Sequence, residues 1–181
     1  MLLPWRDIRL RLAGGREVVV PTSLTDHEAA MLAALADDGV CLEVGSAYGY
    51  SAIVIAESAK SLHAIDPHRE LNSFARMRAN LEAAGVAGRV RISRATNREV
   101  LPELLDSTYD LVFIDGNHAR PDITFDLAHG WRLLKPGGHL AVHDYGEDTC
   151  PDVRPAVESF RDTMYPADTR IVDTLWVATR A

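Results

Sequence analysis

The sequence predicts a doubly wound α/β fold, and three observations carry that prediction. Short apolar runs at 40–44, 61–65, 89–92, 111–114 and 139–143 alternate with stretches of helical periodicity, without repeats or low-complexity linkers. Such alternation builds a mostly parallel sheet covered by helices on both faces. The first run stops at a glycine turn, Leu42-Glu43-Val44-Gly45-Ser46-Ala47-Tyr48-Gly49-Tyr50-Ser51, which feeds straight into a helix-compatible segment. Finally, 169–174 and 175–180 read as an antiparallel strand pair that completes a Rossmann-like sheet of seven strands.

Each element has its own signal. Residues 1–23 read as an N-terminal arm with a turn at Gly14-Gly15 and a short strand or extended piece at 17–20; 24–181 form the domain. Thr25 or Asp26 caps a helix that ends near Gly39. The run 51–60 is helical. Leu71, Phe74, Met77, Leu81 and Ala84 recur at three- and four-residue steps, so a helix runs from about Glu70 to Gly85. Residues 97–105 read as a helix with Pro102 at a first turn or kink. Ile123, Leu127, Trp131 and Leu134 mark a helix ended by Pro136-Gly137-Gly138, with Trp131 in the core, and 153–163 form the last helix.

The chain has 181 residues, enough for one domain with a substantial core. A net charge of −7 and a pI near 5.4 work against non-specific nucleic-acid binding. No apolar run is long enough for a membrane span, and the first residues alternate apolar side chains with Arg6, Arg9 and Arg11, unlike a signal peptide. Cys41 belongs to a buried strand. Cys150 sits in a polar, proline-flanked loop with nothing beside it in sequence to make it a nucleophile. Two distant cysteines suit a reduced, cytoplasmic protein.

In open α/β sheets, ligands sit beyond the carboxyl ends of the strands. Those ends carry Glu43 to Gly49, Asp66 to His68, Arg94 to Asn97, Asp115 to His118 and His143 to Tyr145. A turn of this kind points backbone N–H groups at a ligand, and glycine permits close approach. The spacing Glu-x-Gly-x-x-x-Gly departs from the dinucleotide pattern Gly-x-Gly-x-x-Gly, which argues against a nicotinamide dehydrogenase. Asp66 follows Gly45 by 21 positions, where a carboxylate can accept both hydroxyls of a ribose or, alternatively, cap a helix. Tyr48, Tyr50 and Tyr145 fall near the same cleft. Arg120 is a surface arginine or a contact for an anionic acceptor, and Glu147 and Asp148 belong to a solvated loop.

Leu42-Glu43-Val44-Gly45 with Gly49-Tyr50-Ser51 is similar to the first motif of class I S-adenosylmethionine-dependent methyltransferases, and most resembles the small O-methyltransferases of the catechol type. Phe113-Ile114-Asp115-Gly116-Asn117-His118, Trp131, Leu133-Leu134-Lys135-Pro136-Gly137-Gly138 and His143-Asp144-Tyr145 resemble a bacterial branch that includes O-methyltransferases of macrolide sugars. The resemblance spans about 24–145. It implies that Glu43, Gly45, Ser46 and Gly49 line the methionine and ribose side of S-adenosylmethionine and that Asp66 holds the ribose. Ala95 and Thr96 then border the adenine, where many relatives carry Gly-Asp or Gly-Ser.

By the same resemblance Asp115 lies beside the cofactor as a magnesium ligand and His118 is a general base. Histidine suits that role because its ordinary pKa is about 6.5. The sugar enzymes present two adjacent acids after the fifth strand, and the catechol enzymes Asp-Asn; this chain presents His143-Asp144. Asp115 and Asp144 suit a hard divalent ion such as Mg2+, whereas His143 favours a softer metal or serves as a base without one. The expected activity is methyl transfer to a hydroxyl of a small molecule, without nucleic-acid or membrane partners. The N-terminal arm is free to join a homodimer or to fold over its own pocket. The competing expectation is a cofactor-binding or interaction protein without turnover.

Overall fold

The computed structural model describes residues 5–181. Seven strands form the central sheet: β3 (Val40–Val44), β4 (Ser61–Ile65), β5 (Val90–Ser93), β6 (Tyr109–Ile114), β7 (Leu134–Val142), β8 (Asp168–Val172) and β9 (Leu175–Thr179). Their order across the sheet is β5-β4-β3-β6-β7-β9-β8. The first five are parallel; β9 pairs antiparallel with both β7 and β8. The chain therefore runs outward from β3 through β4 to β5, then returns to place β6 on the other side of β3. A crevice opens beyond the carboxyl ends of strands at such a reversal of order.

Alternation along the strands divides the core in two. Leu111 and Phe113 of β6 join one apolar cluster with Leu32, Ile53, Met77 and Leu81, while Val112 and Ile114 join the other with Ile123, Leu127, Val153 and Val157. Successive strand side chains point to opposite faces, so a fully apolar strand requires helices on both sides. The helices are α1 (Asp26–Leu35), α2 (Tyr50–Ser58) and α3 (Ser73–Ala84) for the first cluster, and α5 (Arg120–Leu133) and α6 (Val153–Met164) for the second. Between them, α4 (Asn97–Val100) is a single turn followed by a 3-10 turn at Leu101–Glu103. The helix expected over 97–105 is thus much shorter, with Pro102 inside the tighter turn.

Two other elements differ from expectation. The helix marked by Trp131 ends at Leu133, because Leu134 already pairs with Tyr109 in the sheet. Pro136-Gly137-Gly138 lies within β7 at a register shift between Tyr109 and Leu111. A Cβ on Gly138 would sit 3.1 Å from the carbonyl oxygens of both Tyr109 and Asp110, a tight fit that favours glycine at the strand irregularity. The arm region forms a hairpin, β1 (Arg6–Arg11) and β2 (Glu17–Thr22), joined through Ala13–Gly15. Val18 and Val20 of β2 enter the first apolar cluster, with Ile8 and Leu10 opposite them, and Val19 faces solvent. Residues 1–4 of the arm lie outside the described residues. Among the described residues, no helix is long and apolar enough to cross a membrane.

Phe113, fully buried at the centre of the sheet, sets a stability test. Phe113→Ala is expected to lower the unfolding free energy by about 3–5 kcal/mol in urea titrations. Val19→Ala, on the outer face of the hairpin, is expected to change it by less than about 0.5 kcal/mol. Similar losses at the two positions would contradict the division of inner and outer faces described above.

Candidate active site

The ends of β3 and β6 approach each other at the reversal of strand order. The Gly45 amide donates to the Ile65 carbonyl at 2.9 Å, and the Asp115 amide to that of Val44 at 2.8 Å. Gly45 has φ +91°, and a Cβ there would fall 2.1 Å from the Asp115 carbonyl oxygen. No side chain fits, so this glycine is dictated by the backbone of the neighbouring strand as well as by its own torsion. Gly49, at φ +88°, caps the start of α2 and rests against Met77. Ser46, buried between them, donates its hydroxyl to the Met77 sulfur at 3.4 Å.

Above the turn lies a cleft of about 530 Å3 that Gly45, Ala47, Asp66, Thr96, Asp115 and His118 help to line. Asp66, at the end of β4, accepts the Ala47 N–H at 2.8 Å and the His68 N–H at 2.6 Å through its two oxygens. These bonds hold the carboxylate across the mouth of the glycine turn. Each oxygen retains acceptor capacity for a hydroxyl. Ala95 is not among the lining residues; its neighbours Thr96, Asn97 and Arg98 are. Glu43 sits beneath the turn, fully buried, and accepts the Ser51 hydroxyl through one oxygen while the other has no partner. Burial, aided by the charges of Asp115 and Asp66, outweighs the Ser51 hydrogen bond and pushes its pKa up to about 8.

Asp115, His118, His143 and Asp144 come together at the ends of β6 and β7. His118 Nε2 lies 3.4 Å from Asp115 Oδ1 and 3.1 Å from Asp144 Oδ2. His143 Nδ1 lies 3.1 Å from Asp115 Oδ1 and 3.2 Å from Asp144 Oδ1. One ligand atom from each of Asp115, His143 and Asp144 can meet within a span of 4.8 Å, close enough to hold a metal ion. The two histidines are not equivalent. His118 lines the cleft, whereas His143 is fully buried and does not. The far nitrogen of His143, Nε2, faces the Glu28 carboxylate at 3.4 Å.

Glu28 is a participant that the sequence does not reveal. Thr25-x-x-Glu28 forms the capping box of α1, a pattern legible as a helix start. Its second role arises only in the fold: Glu28 Oε1 accepts both the amide and the hydroxyl of Thr174, at 2.8 and 2.7 Å. The carboxylate thereby joins the α1 start and the turn before β9 to the back of His143. Burial opposes its charge, but the neighbouring His143 imidazole and the Thr25 N–H bring its pKa down to about 2. Burial likewise works against the His143 imidazolium, yet Asp115, Glu28 and Asp144 hold its pKa well above the ordinary value. Burial works against the Asp115 charge, but His143, hydrogen-bonded to it, and the nearby His118 bring its pKa down to about 2. His118 rises to about 9, because Asp115 and Asp144 overcome its burial.

Trp5 reaches the cleft from the start of the hairpin, half-exposed and edge-on to Tyr48 at 5.5 Å. Tyr50 is in the core, and Tyr145 turns toward α6, where Arg154 covers its ring at 5.2 Å. Arg120 is exposed, with its amide bound to Asp152. Trp131 packs edge-on against Phe160 in the second cluster. Cys150, expected in a polar, proline-flanked loop, lies in that loop but is buried, and it donates its thiol to Asp144 Oδ2 at 3.3 Å.

Residues 42–145, more than half of the chain, match a family described as a methyltransferase domain. The chain belongs to this methyltransferase family. A protein of Mycobacterium sp. (strain JLS) that bears an O-methyltransferase name is 36% identical over 116 residues, covering 62% of this chain and 51% of that protein. A relative from Mycolicibacterium vanbaalenii with the same name is also 36% identical, over 62% of this chain and 50% of its own length. The chain spans about half the length of these relatives. The O-methyltransferase TomG from Streptomyces achromogenes, solved in complex with SAM, superposes with a TM-score of 0.68 at 21% identity, covering 87% of this chain and 82% of that one. Cofactor-bound Rv0187 superposes with a TM-score of 0.71 at 22% identity, covering 86% and 80%. These two likenesses show the fold that the methyltransferase-family chain shares.

The His118 environment yields a direct test in protein freed of metal ions. Its ring resonances are expected to titrate near pH 9 by NMR, and Asp115→Asn and Asp144→Asn should each move the midpoint down. A midpoint at the ordinary value of about 6.5 would contradict the pairing. Because the folded value is raised, His118 contributes stability that is fully present below about pH 6.5 and is lost as pH rises through about 9.

Proposed function

We propose that this protein is an S-adenosylmethionine-dependent O-methyltransferase acting on a hydroxyl of a small molecule. The observation that carries the reading is the placement of Asp66 and the Asp115–His118–Asp144 group on one cleft, at opposite sides of the glycine turn. A carboxylate suits ribose hydroxyls on one side, while the acid–imidazole group suits hydroxyl activation on the other. The cleft volume of about 530 Å3 lies within the range of small-molecule sites. The donor set is also suitable for a divalent ion, since Asp115 and Asp144 present oxygens around one point. In this cleft the cofactor would supply an activated sulfonium methyl, and an ion would supply a lowered pKa for the acceptor hydroxyl.

The residues of the chain then have separate tasks. Asp66 orients the ribose, Gly45 keeps the turn clear, and Thr96 borders the base. Trp5 and Tyr48 cover the mouth and limit water entry. His118 accepts the acceptor's proton at Nε2, the nitrogen that faces the two carboxylates. Those carboxylates keep the ring protonated in the ligand-free protein, so proton acceptance requires their charge to be drawn elsewhere. Asp115 and Asp144 are the residues that would hold a divalent ion, and its charge would lower the hold of these carboxylates on the His118 proton. His143, with a carboxylate at each nitrogen, supports the two acids from behind.

The protonated state of His118 also favours a second reading, a protein that binds the cofactor without turning it over. Transfer of a labelled methyl to a panel of small phenols and sugars separates the two, with loss of the label transfer in His118→Gln marking turnover at this site. Calorimetry should show S-adenosylhomocysteine binding, weakened about 10–100-fold by Asp66→Ala, the range expected for hydrogen bonds to a charged group. Absence of binding by either cofactor form would remove both readings.

A further inference from the structure

The cysteine that the sequence leaves without a role changes the metal chemistry of the site. Cys150 reaches Asp144 from the loop before α6, and His118 reaches it from the loop after β6. Asp144 divides its two oxygens: Oδ1 faces His143, while Oδ2 faces both His118 and Cys150. The ligand atoms of His118, Asp144 and Cys150 all lie within 4.8 Å of one another. Along the sides of this group, His118 Nε2 is 3.1 Å from Asp144 Oδ2, and Cys150 Sγ is 3.3 Å from the same oxygen. Asp115 Oδ1 stands 3.4 Å from His118 Nε2 but groups with His143 and Asp144, not with Cys150.

Those separations carry geometric information. In a tetrahedral site with metal–ligand bonds of about 2.0–2.3 Å, ligand atoms lie about 3.3–3.8 Å apart. The two sides that meet at Asp144 Oδ2, 3.1 and 3.3 Å, are close to that range, and the His118–Cys150 side is within 4.8 Å. Thiolate and imidazole donors select borderline ions over magnesium, which prefers oxygen and octahedral geometry. All the donors belong to a cleft wall that a small ion can reach from solvent, since His118, Asp144 and Cys150 line it.

We propose that Cys150, His118 and Asp144 form a three-residue binding site for a thiophilic divalent ion of the zinc type, with the fourth position open to solvent. Binding releases the Cys150 thiol proton and the His118 Nε2 proton to solvent and forms metal–sulfur and metal–nitrogen bonds, with no change of oxidation state. The site is distinct in its ligands from the oxygen-rich Asp115–Asp144 pair of the preceding section, with which it shares Asp144 alone. An ion seated on His118 Nε2 occupies the lone pair needed for proton acceptance, so zinc and catalysis exclude each other. Only this last consequence rests on the assignment of His118 as base; the binding site itself does not.

Cobalt(II) titration of chelator-treated, reduced protein tests the inference without relying on activity. One equivalent should produce a near-ultraviolet thiolate-to-cobalt charge-transfer band and the visible spectrum of a four-coordinate ion. Zn2+ should displace the cobalt and excess Mg2+ should not. Cys150→Ser, which keeps a donor toward Asp144, should abolish the band and weaken Zn2+ binding at least tenfold, while Cys41→Ser should leave the band intact. In the zinc-loaded protein the His118 resonances should cease to titrate. Cobalt binding without the band, a band that survives in Cys150→Ser, or no stoichiometric binding would overturn the site. Calorimetry of S-adenosylhomocysteine with Mg2+ present reports on the methyltransferase reading independently, so failure of one leaves the other readable.

Discussion

The close passage of β3 against β6 is the constraint on which the site depends. Gly45 must leave its strand with a left-handed torsion, and any side chain there would penetrate the Asp115 backbone. That contact fixes how far the glycine turn stands from the β6 end, and therefore the span between Asp66 and Asp115. The sheet in which both strands lie separates the two apolar clusters, whose helices hold the strands from both faces. A fully apolar β6 is the physical requirement behind this, because its alternate side chains need burial on opposite sides.

Charge balance is the second organising condition. Three carboxylates, Glu28, Asp115 and Asp144, surround two imidazoles at the rear of the cleft. Burying either sign alone would be costly, whereas an alternating chain of acids and imidazoles compensates each group locally. Glu28 extends that chain away from the cleft and anchors it to Thr174, so the terminal strand pair is tied to the chemistry through one side chain. The arrangement makes His143 a support for the acids and leaves His118 as the ring exposed to a ligand. Residues adjacent in sequence thus diverge in role: His143 faces inward from β7, and Asp144, with φ +59°, turns toward the cleft.

Much of the scaffold was legible because its signals are local. Apolar runs at 40–44 and 61–65 coincide with β3 and β4; of the periodic positions from Leu71 to Ala84, those from Phe74 onward fall within α3, while Leu71 precedes the helix and is exposed. Where local signals misled, tertiary pairing prevailed. Leu134 continues the helical spacing but is drawn into the sheet by Tyr109, and Pro136-Gly137-Gly138 then serves as a strand irregularity instead of a helix stop. The hairpin at 6–22 was only partly visible, since its strands are held by cross-strand pairing and by Val18 and Val20 docking on the core.

By itself the sequence determined the alternating architecture, the glycine turn, and which acids and histidines stand at strand ends, because strand ends follow from periodicity and punctuation along the chain. The tertiary structure alone decided which of those groups touch. It placed Glu28 behind His143, buried Cys150 against Asp144, and brought Trp5 to the cleft from the far end of the chain. These contacts join residues far apart in sequence. The strengths of their charges and ligands depend on distances and burial that no spacing along the chain encodes.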